Sequence, residues 1–270
     1  MLEKIIVPVD FSPEAENALW FAAEIAKRSL AHVTLLHAGS QAENKAQEEE
    51  KLNKLRQKLK QHSGEELSCS VELSPVDLLE AIKTRINSGK ADLIVMGTKG
   101  ASGLKRILIG SNTVRVISEI KVPVLVIPGI ARFTDFHNQG KNRVVLATDL
   151  EEIKDESGLD FLDEFVKLMT QLKLRILNIR QKNTKLDYEK RLLRKSLLSS
   201  FGQDVDAEKA TVFSSNILDG IQYYLDKNAD TGLIVMISKE SRGLFQRHFT
   251  HEMAAVTHYP LLVLNEKTEI

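Results

Sequence analysis

The segment Lys4-Ile5-Ile6-Val7-Pro8-Val9-Asp10 comes back later in the chain as Arg143-Val144-Val145-Leu146-Ala147-Thr148-Asp149. Each is a short, largely β-branched run that ends in an acid, and each precedes an apolar stripe of helical spacing. After the first copy the stripe is Ala18, Leu19, Ala22, Ile25 and Ala26; after the second it is Leu159, Leu162, Phe165, Val166 and Met169. A strand that hands directly to an amphipathic helix, repeated once, predicts two copies of one α/β plan.

The alternation continues through both halves. In the first, Ser12 and Pro13 read as N-cap and first helical residue. His32 to His37 and Leu67 to Leu73 read as strands, Gln41 to Gln61 and Pro75 to Ile86 as helices, and Asp92 to Met96 as a strand buried on both sides. Asn112 to Ile120 then reads as a helix and Val122 to Ile127 as a fifth strand. The second half supplies strands at Leu172 to Ile179, Ala210 to Phe213, Gly232 to Met236 and Pro260 to Leu264, with helices around Tyr188 to Leu198 and Ile217 to Leu225. Strands alternating with helices call for a mostly parallel sheet covered on both faces, with ligands beyond the carboxyl ends of the strands. The expectation is two tandem doubly wound, five-stranded parallel-sheet domains, 1–140 and 141–270, joined by the polar stretch Gly129 to Asn142.

Composition narrows the function classes. Lys plus Arg number 37 and Asp plus Glu number 37, so no global field draws the chain to nucleic acid or an anionic membrane, and any anion site must be local. No apolar run approaches the ~20 residues that span a bilayer, and the start of the sequence does not read as a signal peptide. The single cysteine, Cys69, forms no intrachain disulfide and reads as a small hydrophobe. These features point to a cytoplasmic protein.

Chemistry is concentrated after the fourth strand, where Gly97-Thr98-Lys99-Gly100 is followed, nine residues later, by Gly110-Ser111-Asn112 and a helix. Glycines allow positive φ and the close approach of a phosphate, and a helix start favours negative charge. The spacing is neither the Lys-Ser/Thr phosphate loop nor the dinucleotide GxGxxG. It resembles the universal stress protein family, whose ATP-binding members carry Gly, two residues, Gly, nine residues, then Gly with Ser or Thr. Pro8 and Asp10, His37 and Ala38, and Val122-Pro123-Val124-Leu125-Val126 extend the resemblance.

That resemblance implies an adenine nucleotide alpha hydrolase-like fold and bound ATP or a related adenine nucleotide, with or without Mg²⁺. Pro8, Val9 and Asp10 would border the base, Ala38 would line its pocket, and Met96 and Gly97 would border the ribose. Gly100, Gly110, Ser111 and Asn112 would meet the phosphates, with Lys99 or Lys105 either adding charge or standing as surface lysines. On the residues alone, Asp10 serves equally as a cap for local backbone or as a ligand contact. The family pairs domains through fifth strands, which here implies intrachain pairing of Val122–Ile127 with Pro260–Leu264. A homodimer and an unidentified protein partner are left open.

The second copy departs from the pattern. Ile237 falls opposite Gly97, Glu240 opposite Gly100, Thr250 opposite Gly110 and His251 opposite Ser111. Bulk and a negative charge replace the bare backbone, so this half is not expected to hold ATP in the family manner. Arg242, Arg247 and His248 fit a solvated surface or another anion site, and His248 with His251 are too few for a closed metal site. A nucleotide-binding regulatory protein is the leading expectation. A slow ATPase or phosphotransferase and a ligand-free interaction module are the alternatives.

Overall fold

The structure, a computed structural model, describes residues 2–98, 110–134, 140–148, 150, 155–169, 172–180, 188–202, 205–238 and 258–265. The chain divides into two compact units, the first running through Phe133 and the second from Thr134.

In the first unit β1 (Lys4–Pro8), β2 (His32–Ala38), β3 (Cys69–Ser74), β4 (Leu93–Gly97) and β5 (Val124–Ile127) alternate with α1 (Pro13–Ser29), α2 (Lys45–Ser63), α3 (Leu78–Asn87) and α4 (Ser111–Glu119). The described pairings are parallel, in the order β3-β2-β1-β4-β5. Helix α1 packs with α2, and α3 with α4, covering both faces of the sheet. That cover is why Leu93 to Met96 are all buried and read as an unbroken apolar run.

Helix α1 starts where its chemistry says it should. The Ser12 hydroxyl accepts from the Ala15 amide at 3.2 Å, Pro13 follows, and Glu14 and Glu16 meet the positive end of the dipole. Its alanines 15, 18, 22 and 26 are buried and let the helix lie close to β1, β4 and β5. Helix α3 starts at Leu78 instead of Pro75, because Asp77 is extended and accepts from the Glu80 amide at 3.1 Å, taking the cap position itself. Those backbone amides, Glu80's foremost, hold the Asp77 carboxyl below its usual range. Helix α2 starts at Lys45 instead of Gln41, since a turn closed by the Asn44 amide on the Gln41 carbonyl (3.0 Å) comes first.

The stretch expected as a linker is packed at its beginning. Asn17, buried in the middle of α1, donates to the carbonyls of Pro128 (3.1 Å) and Ala131 (3.0 Å). Phe133 meets the Phe21 ring edge-on at 5.4 Å. A buried amide that needs acceptors draws the chain after β5 back onto the helix.

The second unit holds β6 (Arg143–Thr148), α5 (Ser157–Leu168), β7 (Lys173–Arg180), α6 (Tyr188–Ser199), β8 (Ala207–Phe213), α7 (Ile217–Lys227), β9 (Thr231–Ser238) and β10 (Leu261–Asn265). Its strands are parallel in the order β8-β7-β6-β9-β10, the first unit's order position for position. Register fixes the equivalences: Lys4 pairs His32 as Arg143 pairs Lys173, and Ile5 pairs Leu93 as Val144 pairs Leu233. Asn178 therefore stands where His37 does, Ile179 where Ala38 does, and Ile237 where Gly97 does. Both halves are doubly wound α/β sheets. Among the described residues no helix is long and apolar enough to cross a membrane.

Candidate functional site

At the carboxyl ends of β1, β2 and β4 the first unit opens a cleft of about 180 Å³. Nine sequence-predicted residues meet there. Pro8, Val9 and Asp10 come from the end of β1, Ala38 from the end of β2, Met96 and Gly97 from the end of β4, and Gly110, Ser111 and Asn112 from the start of α4. Gly100 lies outside the described residues, as do Lys99, Lys105, Asp149, Glu240, Arg242, Arg247, His248, Thr250 and His251.

The two described motif glycines are bare for different reasons, and neither reason is positive φ. A Cβ on Gly97 would stand 2.5 Å from the Glu14 carbonyl oxygen, so close packing of β4 against α1 excludes any side chain. A Cβ on Gly110 would meet nothing nearer than the Thr113 hydroxyl at 3.9 Å, and its φ of −63° and ψ of 148° suit any residue. Among the described residues no contact accounts for its bareness, and Gly110 borders the cleft.

Helix α4 also presents an open start. Its N-cap glycine has no side chain to accept, and no acid stands in its first turn. The other described helix starts each carry a side-chain cap or an acid: Ser12 with Glu14, Glu48, Asp77 with Glu80, Asp160, and Asn216 with Asp219. The first-turn N–H groups of α4 have no intrahelical acceptors, so the cleft meets a row of donors and the positive end of a dipole. Thr113 anchors this start by donating its hydroxyl to the Gly97 carbonyl at 3.3 Å.

At the other end, Asp10 Oδ1 accepts from the Ser12 amide at 3.0 Å and from the Ser12 hydroxyl. The carboxylate therefore caps the local turn through Oδ1. Phe11 follows at a φ of 63°, which turns the chain from strand into helix. In the sequence Ser12 reads only as a cap and His37 as part of a strand and of the resemblance, yet both border the cleft, as do Glu14, Leu78, Thr98 and Thr113. Leu78 carries no sequence signal of its own; α3 brings it in. Thr98 is 1% exposed, and its hydroxyl has no partner among the described residues.

The second unit differs at the same level of detail. Ile179 replaces Ala38, and the space for it comes from α7, where a Cβ on Gly220 would lie 2.6 Å from Ile179 Cγ2. Ile237 replaces Gly97. The cavity beside its strand-to-helix turn, lined by Thr148, Leu150 and neighbours, is about 40 Å³, room for about one water.

The universal stress protein family profile matches residues 1–128. Universal stress protein MJ0531 of Methanocaldococcus jannaschii is 32% identical over an alignment of 140 positions that covers 47% of this chain and 82% of that protein. Universal stress protein MJ0577 of the same organism is 31% identical over an alignment of 155 positions that covers 47% of this chain and 95% of that protein. The chain belongs to the universal stress protein family. Among solved structures, a universal stress protein from Archaeoglobus fulgidus superposes with a TM-score of 0.74 at 20% identity, covering 98% of both chains. At that identity the likeness speaks for fold, and it speaks for the fold of both halves of this universal stress protein.

Proposed function

We propose that the first unit binds ATP or a related adenine nucleotide, and that nucleotide occupancy regulates the chain's role in a stress response. The observation that carries this reading is the start of α4: uncapped, free of acids, opening on a cleft, and led by a glycine that no contact among the described residues requires. Phosphates fit such donors. The base goes to the other end, between Asp10, Val9 and Ala38, with Pro8 behind it. Met96 and Gly97 border the ribose, and Gly100, Gly110, Ser111 and Asn112 take the phosphates. Among the described residues no group of three or more His, Cys, Asp or Glu could hold a metal ion.

The reading is asymmetric. Residues 1–140 form the nucleotide domain, and residues 141–270 form a copy that holds none, because Ile179 and Ile237 supply side chains where the first unit has a methyl group and a hydrogen. Pairing of the fifth strands within one chain, as the family resemblance implies, belongs to the same proposal. Mass spectrometry of freshly purified, denatured protein supports the proposal if adenine nucleotide is present at about one per chain. Complete absence of nucleotide, with no binding on addition of millimolar ATP, rejects it.

A further inference from the structure

The His37 imidazole holds two elements at once. Its Nδ1 lies 2.6 Å from the Val9 carbonyl oxygen, and a carbonyl only accepts, so Nδ1 carries the proton and donates. Its Nε2 faces Glu48 Oε1 of α2 at 3.6 Å, and Glu48 Oε2 accepts from the Ser40 hydroxyl just past β2. The Phe11 ring leans on the imidazole with centroids 4.6 Å apart. Val9 is buried, and its amide is already spent on the Leu36 carbonyl at 2.8 Å. The imidazole thus secures the carbonyl side of the residue that leads into Asp10.

The second unit repeats the device with different chemistry. Asn178, at the position of His37, donates its Nδ2 to the Thr148 carbonyl at 3.1 Å, and Thr148 stands where Val9 does. Two residues beyond that carbonyl, Leu150 has a φ of 56° where Phe11 has 63°. An imidazole in one unit and an amide in the other hold the same carbonyl ahead of the same backbone twist.

We propose that His37 is a positioning residue of the nucleotide site, setting the Val9–Asp10 turn that forms its base end. The proposal rests on the nucleotide reading and deepens it. The second unit names the substitution that should keep the function: Asn supplies the same donor to the same carbonyl.

Calorimetric titration of the full chain with ATP, for wild type, His37→Ala and His37→Asn, tests this directly. His37→Ala leaves a buried carbonyl unmet and is expected to weaken binding about tenfold, while His37→Asn stays within about threefold of wild type. His37→Leu, similar in bulk but without a donor, replaces the alanine variant if that one does not fold. Wild-type affinity in His37→Ala overturns the proposal, and so does an asparagine variant as weak as alanine. Amide hydrogen exchange at Ser12, whose N–H is held by Asp10, reads the same turn without nucleotide. It is expected to speed about tenfold in His37→Ala and not in His37→Asn, and equal exchange in all three proteins also overturns the proposal. Absence of ATP binding by wild type, with the exchange pattern as expected, removes the nucleotide reading and leaves His37 as the residue that sets the turn.

Discussion

Gly97 and Gly110 belong to one motif, yet the chain needs them bare for unlike reasons, and substitution separates the two. Gly97→Ala drives a methyl against the backbone of α1 and is expected to destabilise the first unit by about 1–3 kcal/mol. Gly110→Ala meets open space. There the entropy removed from the unfolded chain, about 0.4–1 kcal/mol, offsets the loss of a preferred cap residue of similar size. Thermal unfolding of Gly110→Ala should match wild type, while its ATP affinity falls about tenfold or more, since on the proposed reading the methyl would stand where a phosphate approaches. Equal destabilisation by the two substitutions would assign Gly110 to packing.

His32 on β2 shows how a single side chain ties an element's stability to pH. Its ring nitrogens lie 2.7 Å from the Ser68 hydroxyl and 2.8 Å from the Ser70 hydroxyl on or beside β3. Burial, and then the charge of Arg85, lower its pKa from the ordinary 6.5. A group with a depressed folded pKa that is neutral when deprotonated adds stability above its unfolded value and loses it as pH falls through that value toward the folded one. The melting temperature should therefore drop between about pH 7.5 and about pH 5.5, and His32→Gln, which does not titrate, should flatten part of that drop. Cys69 on the same β3 edge is half-buried, and burial pushes its thiol up, which keeps it protonated near neutral pH. Identical slopes for wild type and His32→Gln would show that other groups govern the acid side.

At the level of elements, most of the fold was legible because its signals are local and periodic. The β-branched runs, the alanine stripe of α1 and the Ser12-Pro13 start each state one element without help from the rest of the chain. What was not legible depended on partners distant in sequence. The start of α3 hinged on whether Pro75 or Asp77 would take the cap, and only the Asp77–Glu80 bond decides it. The packing of Ala131 depends on Asn17, a polar residue within α1, and that of Phe133 on Phe21. The cleft was legible where glycines and an acid mark it. It was not legible at Leu78, Thr98 and Thr113, which the fold carries there without any motif of their own.

Across the whole molecule, both halves repeat one fold, and the proposed function rests on where their residues diverge. Both units keep the strand order and the clamped carbonyl ahead of a left-handed residue, while the small residues that leave the first cleft open have moved. Ala38 is matched by Ile179, and the space that Ile179 needs is supplied by Gly220 instead. Glu240→Gly alone is therefore expected not to create a second nucleotide site, because Ile237 still stands where the first unit has Gly97. The balanced charge, 37 basic against 37 acidic residues, means that the proposed anion site at the start of α4 would act locally, without a global field. Calorimetric titration of the purified chain with ATP is the most direct test. Saturable binding at about one nucleotide per chain, lost in Gly110→Glu and unchanged in Glu240→Gly, is the result expected. Absence of binding at millimolar ATP, or two equivalent sites per chain, would contradict it.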